Sequence, residues 1–232
     1  MNVLIFGAHP DDIEILCGGT SAKYSRLGHV VTHCVLTDGQ TCSRTIPNAE
    51  LIAIRKQEAK AAADAVGADL IHFDIKDEML FDNEANRLKV LEAILTVRPD
   101  VIITHSEKDY AMDHRAAHDL VLAVVPMSVL ENCYCPLPCL QTHPVIYLMD
   151  TICGVDFCPT EYVDIREDMD TKLKALACHR SQVQGFEDLG YDLAEQVRVQ
   201  SRFRGMQAGV TYAEGFQKLS NWYSGVTSRR LP

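Results

Sequence analysis

Short apolar runs alternate with helix-patterned stretches of about 15 residues, and few folds can absorb that pattern. Strand-type segments are expected at Asn2 to Phe6, His29 to Thr37, Asp69 to Phe73, Asp100 to His105 and Val145 to Met149. Between them, Asp12 to Leu27, Glu50 to Val66, Asn83 to Val97 and Asp113 to Val125 read as helices. Gly28 and Gly67 stop the first two, and Gly18-Gly19 is a weak spot inside the first. Strands joined through helices imply right-handed crossovers, so the expected fold class is α/β with a mainly parallel sheet. Beyond residue 150 the pattern loosens into a helix from Asp168 to Cys178 and a polar, partly helical tail through Trp222. No repeat, linker or second core appears. One domain over residues 1–232 is expected, with a core of about 1–150 and a C-terminal extension of about 151–232.

Charge removes several classes of partner. A net charge of -10 argues against a nucleic-acid-binding face and against docking on anionic lipid. No apolar stretch approaches the roughly 20 residues that span a bilayer. A basic leader and a small-residue cleavage site are both lacking at the N-terminus, so a cytoplasmic location is expected. Six of the nine cysteines, Cys42 among them, are scattered; Cys133, Cys135 and Cys139 cluster, with His143 four residues on. That C-x-C-x3-C triplet is either a metal site or a set of reduced thiols in a Pro-rich loop.

Chemistry concentrates directly after the first strand, in Ala8-His9-Pro10-Asp11-Asp12-Ile13-Glu14. Strand ends are where open α/β sheets place their sites. A His and a carboxylate suit a hydrolytic metal, and a second carboxylate can act as general base. The alternative is a turn in which Pro10 fixes φ and the aspartates cap the next helix. A second cluster follows the fourth strand, Thr104-His105 through Asp113-His114 to His118. His114 can reach His9 and Asp12 if the two strands are neighbours; two His and one Asp leave a coordination position open, as in catalytic zinc sites. His118, four residues on along the same helical face, is an alternative ligand. A nucleotide-binding module is the reading from another class, but no G-x-G-x-x-G follows the first strand.

These segments resemble the LmbE-like, or PIG-L, deacetylase family over most of the chain. The resemblance rests on Ala8 to Glu14, Thr37-Asp38-Gly39, Arg55 and Glu58, Asp113-His114, His179-Arg180-Ser181-Gln182 and Tyr212 to Phe216. It implies a Rossmann-like three-layer fold and removal of an acetyl group from an N-acetylglucosamine-type sugar or conjugate. It further implies one Zn2+ per chain on His9, Asp12 and His114, with Asp11 as general base. Another amide, such as one in a thiol-sugar conjugate, is the alternative substrate, and a homo-oligomer (trimer or hexamer) is implied by analogy. Where many relatives carry a His three residues before the metal-binding one, this chain has Ala111. His179 is therefore the expected donor to the oxyanion or to the leaving amine, with Tyr110 a further candidate. Asp77 falls where relatives place a sugar-hydroxyl acceptor, and Arg44 is either a substrate contact or a solvated loop residue. Asp113 is expected to orient an imidazole or cap its helix. Glu14 is expected to serve the helix start, and Arg55 and Glu58 to form an ion pair or brace the loop.

Overall fold

A computed structural model describes residues 1–41 and 43–220. Cys42 and the end of the expected tail, including Trp222, lie outside the described residues. In chain order the elements are β1 (Asn2–Gly7), α1 (Asp12–Arg26), β2 (Val30–Thr37), α2 (Asn48–Val66), β3 (Asp69–Ile75), α3 (Glu84–Val97), β4 (Val101–Thr104) and α4 (Met112–Val124). They continue with β5 (Val145–Met149), β6 (Glu161–Asp164), α5 (Met169–Leu176), α6 (Arg180–Glu187), α7 (Leu193–Ala208) and β7 (Ala213–Lys218).

The seven strands form one sheet in the order β3-β2-β1-β4-β5-β7-β6. The first five pair in parallel; β7 runs antiparallel to both β5 and β6. Side chains alternate across a strand, and β1 shows where they go. Val3 and Ile5 join a core built with α1, α2, α5 and α7, whereas Leu4 and Phe6 join a second core with α3 and α4. Both faces of the sheet are covered, which gives three layers and explains why these strands read as unbroken apolar runs. From β1 the chain steps outward to β2 and β3, then returns to place β4 on the other side of β1. The C-terminal ends of β1 and β4 therefore flank the topological switch point, where α/β sheets form their crevice.

The weak spot in α1 is a real break: Cys17 leaves helical geometry at φ -144°. The helix resumes with Gly19 and Thr20, whose backbone N–H groups donate to Glu214 of β7 at 2.9 and 2.7 Å. Lys172 of α5 pairs with the same carboxylate, and both side chains are about 2% exposed. A carboxylate thus satisfies the orphan donors of a restarted helix, and an ammonium balances its charge. Glu214→Ala leaves Lys172 buried and unpaired, so a loss of about 3–5 kcal/mol in urea unfolding is expected. An unchanged midpoint would rule out this clamp.

Two sequence expectations change. The helix expected over Asp168 to Cys178 ends at Leu176, and the chain turns at His179 into the separate helix α6. The extension also supplies two strands, β6 and β7, that were not expected. Among the described residues, the cysteine triplet and His143 do not converge on a metal-type group, and every described cysteine is a free thiol.

Candidate metal centre and active site

The turn after β1 is fastened on all sides. Ala8 donates its N–H to His105 Nε2 at 2.9 Å, and its carbonyl accepts from the N–H and Oγ1 of Thr37 at 2.9 and 2.8 Å. The carbonyl of Pro10 accepts from the Arg55 guanidinium. Asp11 is held at φ 120°, a region non-glycine residues rarely adopt, at a cost of about 1–3 kcal/mol. The twist separates two adjacent carboxylates. Asp12 turns back on the strand end, accepting the His9 N–H at 2.6 Å, while Asp11 faces Arg55 at 3.4 Å. No side-chain cap bond forms at Asp11, so it does not act as the cap that a plain turn would require.

Three donors converge here. His9 Nδ1 lies 3.2 Å from His114 Nε2 and 3.3 Å from Asp12 Oδ2, and His114 Nε2 lies 3.1 Å from Asp12 Oδ1. Tetrahedral zinc with bonds of about 2.0–2.2 Å separates its donors by about 3.3–3.5 Å. The set therefore fits such an ion with little adjustment. The far ring nitrogens are oriented by carboxylates. His9 Nε2 faces Asp77 Oδ1 at 3.2 Å and Asp113 Oδ2 at 3.4 Å, and His114 Nδ1 faces Asp109 Oδ2 at 3.1 Å. That arrangement fixes the tautomer in which the inner nitrogens offer lone pairs.

Electrostatics sort the carboxyls into different roles. Burial pushes Asp11 up to about 6, with Arg55 pulling against it. Burial also works against the charge of Asp12, but His114 and His9 outweigh it and hold that carboxyl well below its ordinary range. Burial pulls the His105 imidazole down to about 4, helped by the charge of His114, whose ring stacks on it at 4.0 Å between centroids. His105 is thus neutral, and its Nε2 lone pair is taken by the Ala8 N–H. That nitrogen is therefore not offered to the His9, Asp12 and His114 triangle, although His105 also groups with Asp109 and His114 as a metal-type cluster.

The remaining expected residues fall into three groups. His9, Asp11, Asp12, Asp77, Tyr110, Asp113 and His114 line one cavity of about 560 Å³, with Arg55 and Ala111 also on its wall. Asp77 nonetheless has both oxygens engaged, one by His9 and the other by the N–H and Oγ1 of Thr41 at 3.0 and 2.6 Å. Those contacts brace the turn that carries His9. Asp113 orients an imidazole, but that of His9, and it does not cap α4. Tyr110 stands at the rim, 77% exposed.

The second group lies apart from this wall. His179 is fully buried, with Nε2 3.1 Å from Glu14 and no place on the cavity surface. That position corrects the expectation that it meets the reacting carbonyl. Glu14 also faces His33 at 3.4 Å; burial would raise its carboxyl, but His179 and His33 hold it at about 2. Arg44 lines an adjoining pocket, not this cavity. His118 turns to Asp119 at 2.9 Å and Glu107 at 3.6 Å, away from the donors.

Arg55 and Asp109 form the third group, whose partners the sequence did not reveal. Arg55 donates to the Gly39 and Pro10 carbonyls and faces Asp11, while Glu58 accepts from the N–H and Oγ of Ser181 at 2.8 and 2.6 Å. Gly39 is required for that approach, because a Cβ there would meet the guanidinium at 2.7–2.9 Å. A signal was present: Arg55 shares the buried helical face of Leu51, Ala59, Ala62 and Val66, an unusual place for a cation. Asp109 gave no comparable signal. Its Oδ1 accepts the Ala111 N–H at 3.0 Å and its Oδ2 the Ile152 N–H at 3.3 Å, besides facing His114. Asp109→Ala is expected to weaken zinc binding about 10–100-fold in a competition titration against a chelator. Undiminished affinity would exclude an orienting role.

A mainly parallel α/β sheet with two His, one Asp and a further carboxylate at its switch point has the layout of a metal-dependent hydrolase. Comparison with known proteins narrows that class. The GlcNAc-PI de-N-acetylase (PIG-L) family model matches residues 4–125, and the chain belongs to this family. Diacetylchitobiose deacetylase of Thermococcus kodakarensis is 30% identical, over 93% of this chain and 82% of that protein. 4-Oxalmesaconate hydratase of Pseudomonas putida is 26% identical, over 94% and 89%. The structure of N,N'-diacetylchitobiose deacetylase from Pyrococcus horikoshii superposes with a TM-score of 0.84 at 28% identity, covering 97% of this chain and 86% of that one.

Proposed function

We propose that this chain is a zinc-dependent hydrolase that removes the acetyl group from an N-acetylglucosamine-type sugar or conjugate. The observation that carries the reading is the His9, Asp12 and His114 donor triangle with the Asp11 carboxylate beside it on the same cavity wall. His9, Asp12 and His114 would hold Zn2+, which would supply Lewis acidity toward an acyl carbonyl and toward water. Asp11 accepts the proton of the attacking water, and Arg55 keeps its carboxylate charged and aimed. Asp77, Asp113 and Asp109 hold the two imidazoles. His179 acts from behind through Glu14, steadying the helix start on which Asp11 and Asp12 are mounted. Tyr110 is the side chain at the rim that can donate to the substrate.

We further propose a single domain over 1–232 and a cytoplasmic location; among the described residues no helix is long and apolar enough to cross a membrane. Homo-oligomer formation is proposed through the exposed Val199, Phe203 and Met206, which share one face of α7. The test of function is a free-amine assay of zinc-loaded protein against N-acetylated sugars and their conjugates. Release of amine and acetate supports the reading; no release from any of them overturns it.

A second reading is favoured by one observation. Ala111 offers no side-chain donor where the resemblance implies a His, and one relative of similar coverage is a hydratase. The same triangle and base would then add water to a carbon–carbon double bond of an unsaturated carboxylic acid. Loss of the conjugated absorbance of such acids, without amine release from sugars, would select this reading.

A further inference from the structure

We infer that Arg204 of α7 is a positioning residue of the metal centre, acting through Asp150 and the Ile152 N–H on Asp109, an inference that rests on the metal-triangle reading. Arg204 is buried, although it belongs to the C-terminal extension and touches none of the three donors. Its Nε and Nη2 donate to the two carboxylate oxygens of Asp150 at 2.6 and 3.0 Å, a bidentate pair between buried side chains. Nη2 also donates to the carbonyls of Gly154 and Phe157 at 3.4 and 3.2 Å, and Nη1 to Gln207 Oε1 at 2.9 Å. One guanidinium therefore grips the chain on both sides of residues 151–153.

That turn needs holding. Cys153, Gly154 and Asp156 stand at φ 59°, 68° and 56°, and two of the three are not glycine. Gly154 is required, because a Cβ there would meet Arg204 Nη2 at 2.8 Å. Within the turn, Thr151 Oγ1 donates to the Val155 carbonyl at 2.6 Å and the Gly154 N–H to the Thr151 carbonyl at 3.0 Å. Asp150 Oδ1 accepts the Thr151 N–H at 2.9 Å, and Gln200 of α7 donates to the Thr151 carbonyl at 2.9 Å. The segment is folded on itself and fastened to α7.

What the fastening delivers is one donor. The Ile152 N–H is aimed at Asp109 Oδ2 at 3.3 Å, and the same oxygen faces His114 Nδ1 at 3.1 Å. Asp109 lies in the loop after β4, and Asp150 directly follows β5, which pairs with β4. The path from α7 to a metal-binding ring thus runs through Asp150, Ile152 and Asp109, each step a polar contact or a short stretch of chain. A carboxylate that orients an imidazole needs partners of its own to keep its angle, and Arg204 fixes the position of one of them.

The test measures zinc affinity by competition against a chelator in the parent, Arg204→Lys, Asp109→Ala and the double variant. Lysine keeps a cation opposite Asp150 but cannot form the two parallel bonds and also reach both carbonyls. Arg204→Lys is expected to weaken zinc binding about tenfold in the parent. In the Asp109→Ala background it should have no further effect, because the path ends at that carboxylate. Equal losses in the two backgrounds, as from general loosening of the fold, or no loss in the parent, overturns the inference. Ile152→Pro gives a second route. Thr151 is already extended and residue 152 opens a short helical turn, so proline fits there and removes the N–H alone. It too is expected to weaken zinc binding about tenfold; parent affinity overturns the path. If the parent binds no zinc, the metal reading fails, and amide hydrogen exchange of the zinc-free protein decides on the clamp separately. Faster exchange at the Ile152 N–H in Arg204→Lys, with the β1 amides unchanged, retains it; unaltered exchange removes it.

Discussion

His9→Ala and His114→Ala are each expected to reduce bound zinc from about one ion per chain to a trace, with turnover falling to background. Two donors remain in either variant, whereas a catalytic zinc needs three protein ligands besides the open position. The loss should be read by elemental analysis after dialysis against a weak chelator, alongside far-UV circular dichroism. A folded variant that retains stoichiometric zinc would show that the ion, if any, lies elsewhere. The effect is expected to exceed that of Asp109→Ala because it removes a bond to the metal, whereas Asp109 only orients a ligand that is already present.

The complementary outcome is expected of Asp11→Asn: zinc retained, with kcat lower by about 10²–10⁴. The amide keeps the volume and an acceptor oxygen but cannot take up a proton at neutral pH. Because the strained backbone at Asp11 is imposed by its neighbours, and Asn tolerates positive φ better than most residues, the turn should survive. Burial raises the Asp11 carboxyl to about 6, and that basicity is what the substitution removes. Near-parent turnover with zinc bound would leave Asp11 as a purely structural residue and require another base. Paired with the histidine variants, this result separates holding the metal from moving the proton.

The parts of this molecule differ in how plainly their sequence announces them. β1, β4 and β5 are readable because strands covered on both faces are continuously apolar, and β2 and β3 because Gly28 and Gly67 mark the helix ends before them. The β6 segment, Glu161 to Asp164, and the β7 segment, Ala213 to Lys218, carry no such run. They are strands because the β5 edge and each other supply their hydrogen bonds, a tertiary cause that local pattern does not encode. His9, Asp12 and His114 stand out because polar clusters at two strand ends become neighbours once the chain order of a parallel sheet is assumed. The partners of Asp77, Arg55 and Asp109 depend instead on how loops fold back over those ends. His179 shows the limit of a motif: its neighbourhood is retained, yet only the packing of α5 against α1 decides that its ring meets Glu14 and not the cavity.

The bond between Gly19 and Glu214 joins residues 195 positions apart. A ribosome delivers every donor of the metal triangle well before Glu214, but the helix that carries Asp12 acquires this fastening only when β7 has emerged. Nascent or truncated chains ending before that strand would possess the full donor set on an unfinished support. The support of that turn is thus a contact of large sequence separation, of the kind that forms late in folding.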